Sequence, residues 1–131
     1  MTFGWSITFS PGFLRAFTKP RESKAYRSLA LVVPSIWYET FGTVVLQAWS
    51  HGRPALVSNI GGPGELVDNG STGYVFAPAD DVQLAEILRR LVSDPGHGDE
   101  MGQRGYKKLL RELSEEVWLT RVNSVLSSAL V

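Results

Sequence analysis

The chain has 131 residues, 44% of them hydrophobic, with 13 basic and 13 acidic side chains and no cysteine. That is one domain's worth of chain with enough apolar material for a core. The balanced charge offers no general field for nucleic acid or an anionic membrane, and the lack of thiols excludes disulfides, thiolate zinc sites and a cysteine nucleophile.

Residues 1–28 are the least legible part. Phe3-Gly4-Trp5-Ser6-Ile7-Thr8-Phe9 has the composition of a strand with a glycine irregularity. Ser10-Pro11-Gly12 reads as a turn, and a helix begun at Phe13 would be ended or kinked by Pro20. Lys19, Arg21, Lys24 and Arg27 are interrupted by Glu22 and read as a solvated face. The opening residues lack the basic start and apolar core of a secretory signal, and no apolar run approaches the roughly 20 residues of a membrane helix. A cytoplasmic protein is expected, with no membrane span and no nucleic-acid partner.

From residue 29 the punctuation is regular. Leu29-Ala30-Leu31-Val32-Val33 is short and β-branched enough to predict a buried strand over 29–34. A helix over 42–51 follows, stopped by Gly52, which tolerates a left-handed backbone, and by Pro54. A second strand spans 54–58. Gly61-Gly62 makes a turn, Pro63 stands as a first helical residue, and that short helix ends near Asn69-Gly70. A third strand spans 73–77. Asp80 is an N-cap with Gln83 in capping-box position. Leu84, Ile87, Leu88, Leu91 and Val92 keep one apolar face until Asp94-Pro95-Gly96 stops the helix. Another helix covers about 99–113 with Met101, Leu109, Leu110 and Leu113 inward. The last covers about 115–129 with Trp118, Val122, Val125 and Leu126 on one side. Strands alternating with helices imply right-handed crossovers and a parallel sheet, hence an α/β fold.

Chemistry concentrates where the first strand runs into its helix, Pro34-Ser35-Ile36-Trp37-Tyr38-Glu39-Thr40-Phe41-Gly42-Thr43-Val44-Val45-Leu46-Gln47. An open parallel sheet binds ligands outside the carboxyl ends of its strands, and a helix start there presents free N–H groups to a phosphate. On spacing alone, Glu39 just before that helix reads as an exposed loop acid or a helix cap, with a charged acceptor for a ligand as the alternative; Gly42 lets a ligand approach the amides of Thr43 and Val44, or only relieves a tight turn. Trp37 and Tyr38 read as core, with stacking on a base or sugar as the alternative. His51 is expected exposed at a helix C-terminus, and His97 in a loop between glycines. Two distant histidines without cysteine give no metal site.

These stretches carry a resemblance when taken together. The Pro34–Gln47 run is followed by His51-Gly52-Arg53-Pro54-Ala55-Leu56-Val57-Ser58, by Gly61-Gly62-Pro63-Gly64-Glu65-Leu66-Val67 and by Asn69-Gly70-Ser71-Thr72-Gly73-Tyr74-Val75-Phe76, with Asp80-Asp81 opening the next helix. In that order they resemble the signature of the retaining glycosyltransferases of the GT-B fold, which include sucrose and glycogen synthases and many bacterial hexosyltransferases. The resemblance covers about residues 29–126. It implies a Rossmann-like parallel sheet with flanking helices, the C-terminal, donor-binding half of that fold, formed by residues 29–131 with 1–28 a separate segment. The resemblance places Glu39 beside the transferred sugar as the catalytic residue. It makes Phe41, Gly42, Thr43, Val44, Gln47, Gly61 and Gly62 the nucleotide-sugar-binding set, with Glu65 close by. The donor it implies is a UDP-, ADP- or GDP-sugar, with no further cofactor. Three departures stand out. Gln47 occupies the place of the family's second glutamate, whose carboxylate accepts from the ribose hydroxyls. No convincing counterpart of the family's diphosphate-neutralising arginine and lysine precedes residue 29; Arg15 and Lys19 lie four apart but do not follow a glycine-ended strand. The chain has no room for the family's N-terminal domain. It is therefore expected to be inactive alone and to need that domain, a partner chain or self-association. The alternative is a non-catalytic module that binds a nucleotide sugar or another protein.

Overall fold

The computed structural model describes residues 28–130. The strand, turn, helix and basic residues expected before residue 28 lie outside them. The described elements are β1 (Leu31–Val33), α1 (Thr43–Ser50), β2 (Ala55–Ser58), α2 (Gly61–Leu66), β3 (Gly73–Phe76), α3 (Asp81–Ser93), α4 (Pro95–Leu113) and α5 (Glu115–Ala129). The strands form one sheet in the order β1-β2-β3, with both pairings parallel. Leu31 lies opposite Ala55 and Val33 opposite Val57; Ala55 faces Gly73 and Ser58 faces Phe76. All three strands therefore end on the same edge of the sheet, as expected of the α/β class.

Side chains alternate across a strand, and the core divides accordingly. Val33, Ala55 and Val57 turn to one face, where Val45, Leu46, Ala48 and Trp49 of α1 cover them. Leu56 and Phe76 turn to the other, against Ile87 and Leu91 of α3. The central strand β2 is buried along its whole length, which is why its sequence is apolar throughout rather than alternating. Helix α4 serves both layers, giving Leu109 to the first and Met101 to the second.

Helix ends follow local chemistry. After α1, Gly52 has φ of 67°, and its N–H donates to the Trp49 carbonyl at 2.9 Å. The Asp80 carboxylate caps α3 by accepting from the Gln83 N–H at 2.9 Å. The Gln83 side chain does not close the expected box; its Oε1 accepts instead from the Ala77 N–H at 2.8 Å. Asp94-Pro95-Gly96 ends α3 as expected, but it also starts α4, four residues before the predicted 99. Asp94 accepts from the His97 N–H at 3.1 Å, and Pro95 is the first helical residue. His97 is thus in a helical first turn, not a loop, with Nε2 3.3 Å from the Tyr74 hydroxyl. Helix α2 also starts earlier than predicted, at Gly61, and ends at Leu66.

Several apolar assignments fail where no layer of the described residues covers them. Val92 and Leu110 point to solvent at 67% and 48% exposure. The expected apolar side of α5 is largely uncovered: the helix has no buried residue, and Trp118, Val125 and Leu126 are all exposed. Its start is capped by Ser114, whose Oγ accepts from the Val117 N–H at 3.4 Å. Among the described residues, no helix is long and apolar enough to cross a membrane.

Candidate functional site

The loop from Val33 to Thr43 leaves the carboxyl end of β1, and the Gly61–Gly62 start of α2 leaves that of β2. The two meet at Glu39. The Gly62 N–H donates to the Glu39 carbonyl at 2.7 Å. A Cβ on Gly61 would stand 2.3 Å from that same oxygen, and one on Gly62 would stand 2.5 Å from the Thr40 carbonyl. Gly61 also has φ of 67°, in the left-handed region. Glycine is required at both positions because backbone packs on backbone.

The Glu39 side chain is held separately. Ser35, buried at 8% exposure, donates its hydroxyl to Glu39 Oε1 at 2.6 Å. Sequence reasoning gave Ser35 no role, although it stands in the Pro34–Gln47 run that carries the family resemblance and four residues before the acid.

Helix α1 starts directly after this loop. Its N-cap is Gly42, with no side chain capping the first amides. Thr43, Val44 and Gln47 lie at spacings of three and four residues and form one exposed stripe. Gly42 itself is buried, and a Cβ there would sit 3.2 Å from both the Pro63 Cα and the Leu66 Cδ1 of α2. Its smallness is thus used in packing α2 against α1. Phe41 is half-buried and packs on the α1 face of the core. The structure brings Glu39, Phe41, Gly42, Gly61 and Gly62 into one contact set, with Thr43, Val44 and Gln47 running away from it along α1. Glu65 is exposed on the last turn of α2.

Trp37 and Tyr38 are not core. They are 65% and 70% exposed, beside Ile36 at 65%, because the loop carries them past the strand end and beyond the cover of α1. His51 caps the C-terminus of α1, half-buried rather than exposed, with Nδ1 2.8 Å from the Gln47 carbonyl.

Helix α4 fixes α2 from behind. Lys108 Nζ donates to the Leu66 carbonyl at 2.8 Å and to Asp68 Oδ2 at 2.9 Å. It lies 5.8 Å from the centre of the Trp49 ring, within cation–π range. The Trp49 Nε1–H donates to the Thr72 carbonyl at 3.0 Å. A separate groove of about 190 Å³ between β3 and α3 is lined by Asn69, Tyr74, Gln83 and Arg90 among others, and none of the site residues reaches it. Among the described residues, no three His, Asp or Glu side chains gather as a metal-binding group.

The model of the family described as glycosyl transferases group 1 matches residues 12–108, most of the chain. The chain belongs to that family. The match begins earlier than the motifs at 29 and stops short of 126, so it takes in part of the N-terminal segment. A glycogen synthase of Mycobacterium tuberculosis (strain ATCC 25618 / H37Rv) is 36% identical over 104 residues, covering 79% of this chain and 25% of that protein. The chain thus spans about a quarter of the length of that relative. Among solved structures, HepE of Anabaena in complex with UDP superposes with a TM-score of 0.75 at 22% identity, over 79% of this chain and 29% of that one. The same protein is known in complex with UDP-glucose. The C-terminal domain of a group 1 glycosyl transferase (LpcC) from Francisella tularensis gives a TM-score of 0.60 at 27% identity, over 69% of this chain and 46% of that one. The described residues thus form a parallel three-stranded sheet with flanking helices, and the solved structures that share it are GT-B glycosyltransferases.

Proposed function

We propose that this chain is the donor-binding half of a retaining glycosyltransferase, which moves a hexose from a nucleotide diphosphate sugar to an acceptor. Membership of the group 1 family supports glycosyl transfer, the nucleotide complexes of HepE support a uridine-type donor, and the likeness to the LpcC domain supports a C-terminal half. One observation carries the reading. Glu39 is held at both main chain and side chain, at the carboxyl ends of parallel strands, just before a helix start that no side chain caps.

In this arrangement the Glu39 carboxylate accepts from hydroxyls of the donor sugar, with bonds about twice as strong as neutral ones. Its charge also favours the positive charge that develops at the anomeric carbon in an oxocarbenium-like transition state. The amides of Thr43 and Val44 take the diphosphate, helped by the macrodipole of α1. Gln47, one turn further along the exposed stripe, meets the ribose through its amide oxygen. The acceptor side belongs to a domain or partner beyond this chain, so transfer needs that partner.

Calorimetric titration of the chain with UDP, ADP, GDP and UDP-glucose tests this. Saturation by one nucleotide and its sugar, with Glu39→Ala weakening the sugar form selectively, is the expected result. No heat of binding at millimolar concentration for any of them overturns it.

Gln47 favours a second reading, a module that retains the fold but not the chemistry. A neutral amide in place of a carboxylate gives up a charge-assisted bond to the ribose, about 1–2 kcal/mol. If the chain joined to its partner domain binds nucleotide yet never turns over an activated sugar, this second reading stands.

A further inference from the structure

We propose that Ser35 is a positioning residue, whose hydroxyl aims the Glu39 carboxylate at the donor sugar. This rests on the donor-binding reading above. Four polar residues are buried among those described: Ser35, Ser50, Ser58 and Thr72. Three of them bond to main chain and so serve local structure. Ser50 Oγ donates to the Gln47 carbonyl, Ser58 Oγ to the Val33 carbonyl, and Thr72 Oγ1 accepts from the Asp68 N–H. Ser50 also pairs with His51 Nδ1 at 3.1 Å, but of the four only Ser35 bonds the candidate catalytic carboxylate.

The two restraints on Glu39 are separable. Gly62 holds the carbonyl, so the backbone stays in place whatever residue 35 is. Ser35 holds only Oε1, leaving Oε2 and the remaining lone pairs of Oε1 for a ligand. A free glutamate side chain samples many rotamers, and a ligand that must order it binds less tightly. A bond made before the ligand arrives removes that cost. The same bond closes a five-residue loop segment, so a purely structural role predicts different consequences, and the test separates them.

The test uses the full chain with two readouts. In the first, the Glu39 side-chain carboxyl carbon is followed by NMR with the Gly62 amide as internal reference. Ser35→Ala moves the Glu39 resonance and leaves Gly62 in place, whereas Ser35→Thr keeps both. An unmoved Glu39 resonance, or one that moves together with Gly62, overturns the assignment without reference to any ligand. In the second, UDP and UDP-glucose are titrated against the same variants. Ser35→Ala weakens UDP-glucose about five- to tenfold and UDP less than twofold, with Ser35→Thr restoring the difference. In the Glu39→Ala background, Ser35→Ala has no further effect. Equal weakening of both ligands, no weakening of either, or full additivity with Glu39→Ala overturns the positioning role. If the unaltered chain binds neither ligand, the donor-binding reading falls and the sugar-directed role with it, while the NMR readout still decides whether Ser35 holds Glu39.

Discussion

Gln47 and the two tryptophans Trp37 and Trp49 show how much a single side chain can decide. Gln47 is exposed on α1, eight residues after Glu39, with its side chain open to solvent. If it meets a ribose, Gln47→Glu restores a charged acceptor and should tighten UDP binding about tenfold, read by calorimetry. Loss of affinity in that variant would place the ribose elsewhere. Trp37 and Trp49 share a chemistry and differ wholly in setting. Trp49 is completely buried and bonded to Thr72, so Trp49→Ala should cost about 3–5 kcal/mol in urea unfolding. Trp37 is 65% exposed, so Trp37→Ala should cost less than about 0.5 kcal/mol. Sequence alone did not place Trp37, because an aromatic just past a strand has the same local signature whether or not a layer lies over it. Glu39, by contrast, was singled out by the resemblance of the run around it, its spacing alone reading as a loop acid. Ser35 was not, since its bond depends on how the loop folds back.

At the scale of elements, strands and caps were the readable part. The β-branched runs bounded by glycine and proline predict β1, β2 and β3 to within two residues, and Asp80 caps α3 as expected. The failures have a common cause, which is that one signal can serve two purposes. Asp94-Pro95-Gly96 reads as a stop, yet the same aspartate caps the next helix and the proline begins it. Gly61-Gly62 reads as a flexible turn, whereas both residues lie in α2 and are pressed on the backbone of the Glu39 loop. Gly62→Ala should therefore cost about 1–3 kcal/mol through overpacking. The loss should appear first as faster amide exchange in α2 and the Glu39 loop, with α3 unaffected. Gly105 gives the matching test behind α2. A Cβ there would stand 2.2 Å from the Trp49 ring, so Gly105→Ala should force α4 away from α1 and lower the unfolding midpoint by a similar amount.

Across the described residues, stability resides in two layers on either side of β2, and α5 contributes to neither. Its residues include none that are buried, while Trp118, Leu119, Val125, Leu126 and Leu130 face solvent. Removing residues 115–131 should change the unfolding free energy by less than about 1 kcal/mol, measured against the full chain in urea. A larger loss would mean that α5 is bound into the core. The amphipathic pattern of α5 was visible in the sequence, but a pattern says only which side would be covered, never that a cover is present. The same holds for Val92 and Leu110, at the outer margins of helices that are otherwise well packed.

The contact between Gly61–Gly62 and Glu39 ties the tails of two neighbouring strands into one joint. A disturbance entering at β2 therefore arrives at the acid without touching any ligand. Genetic screens that find these two glycines irreplaceable will be measuring the seating of residue 39.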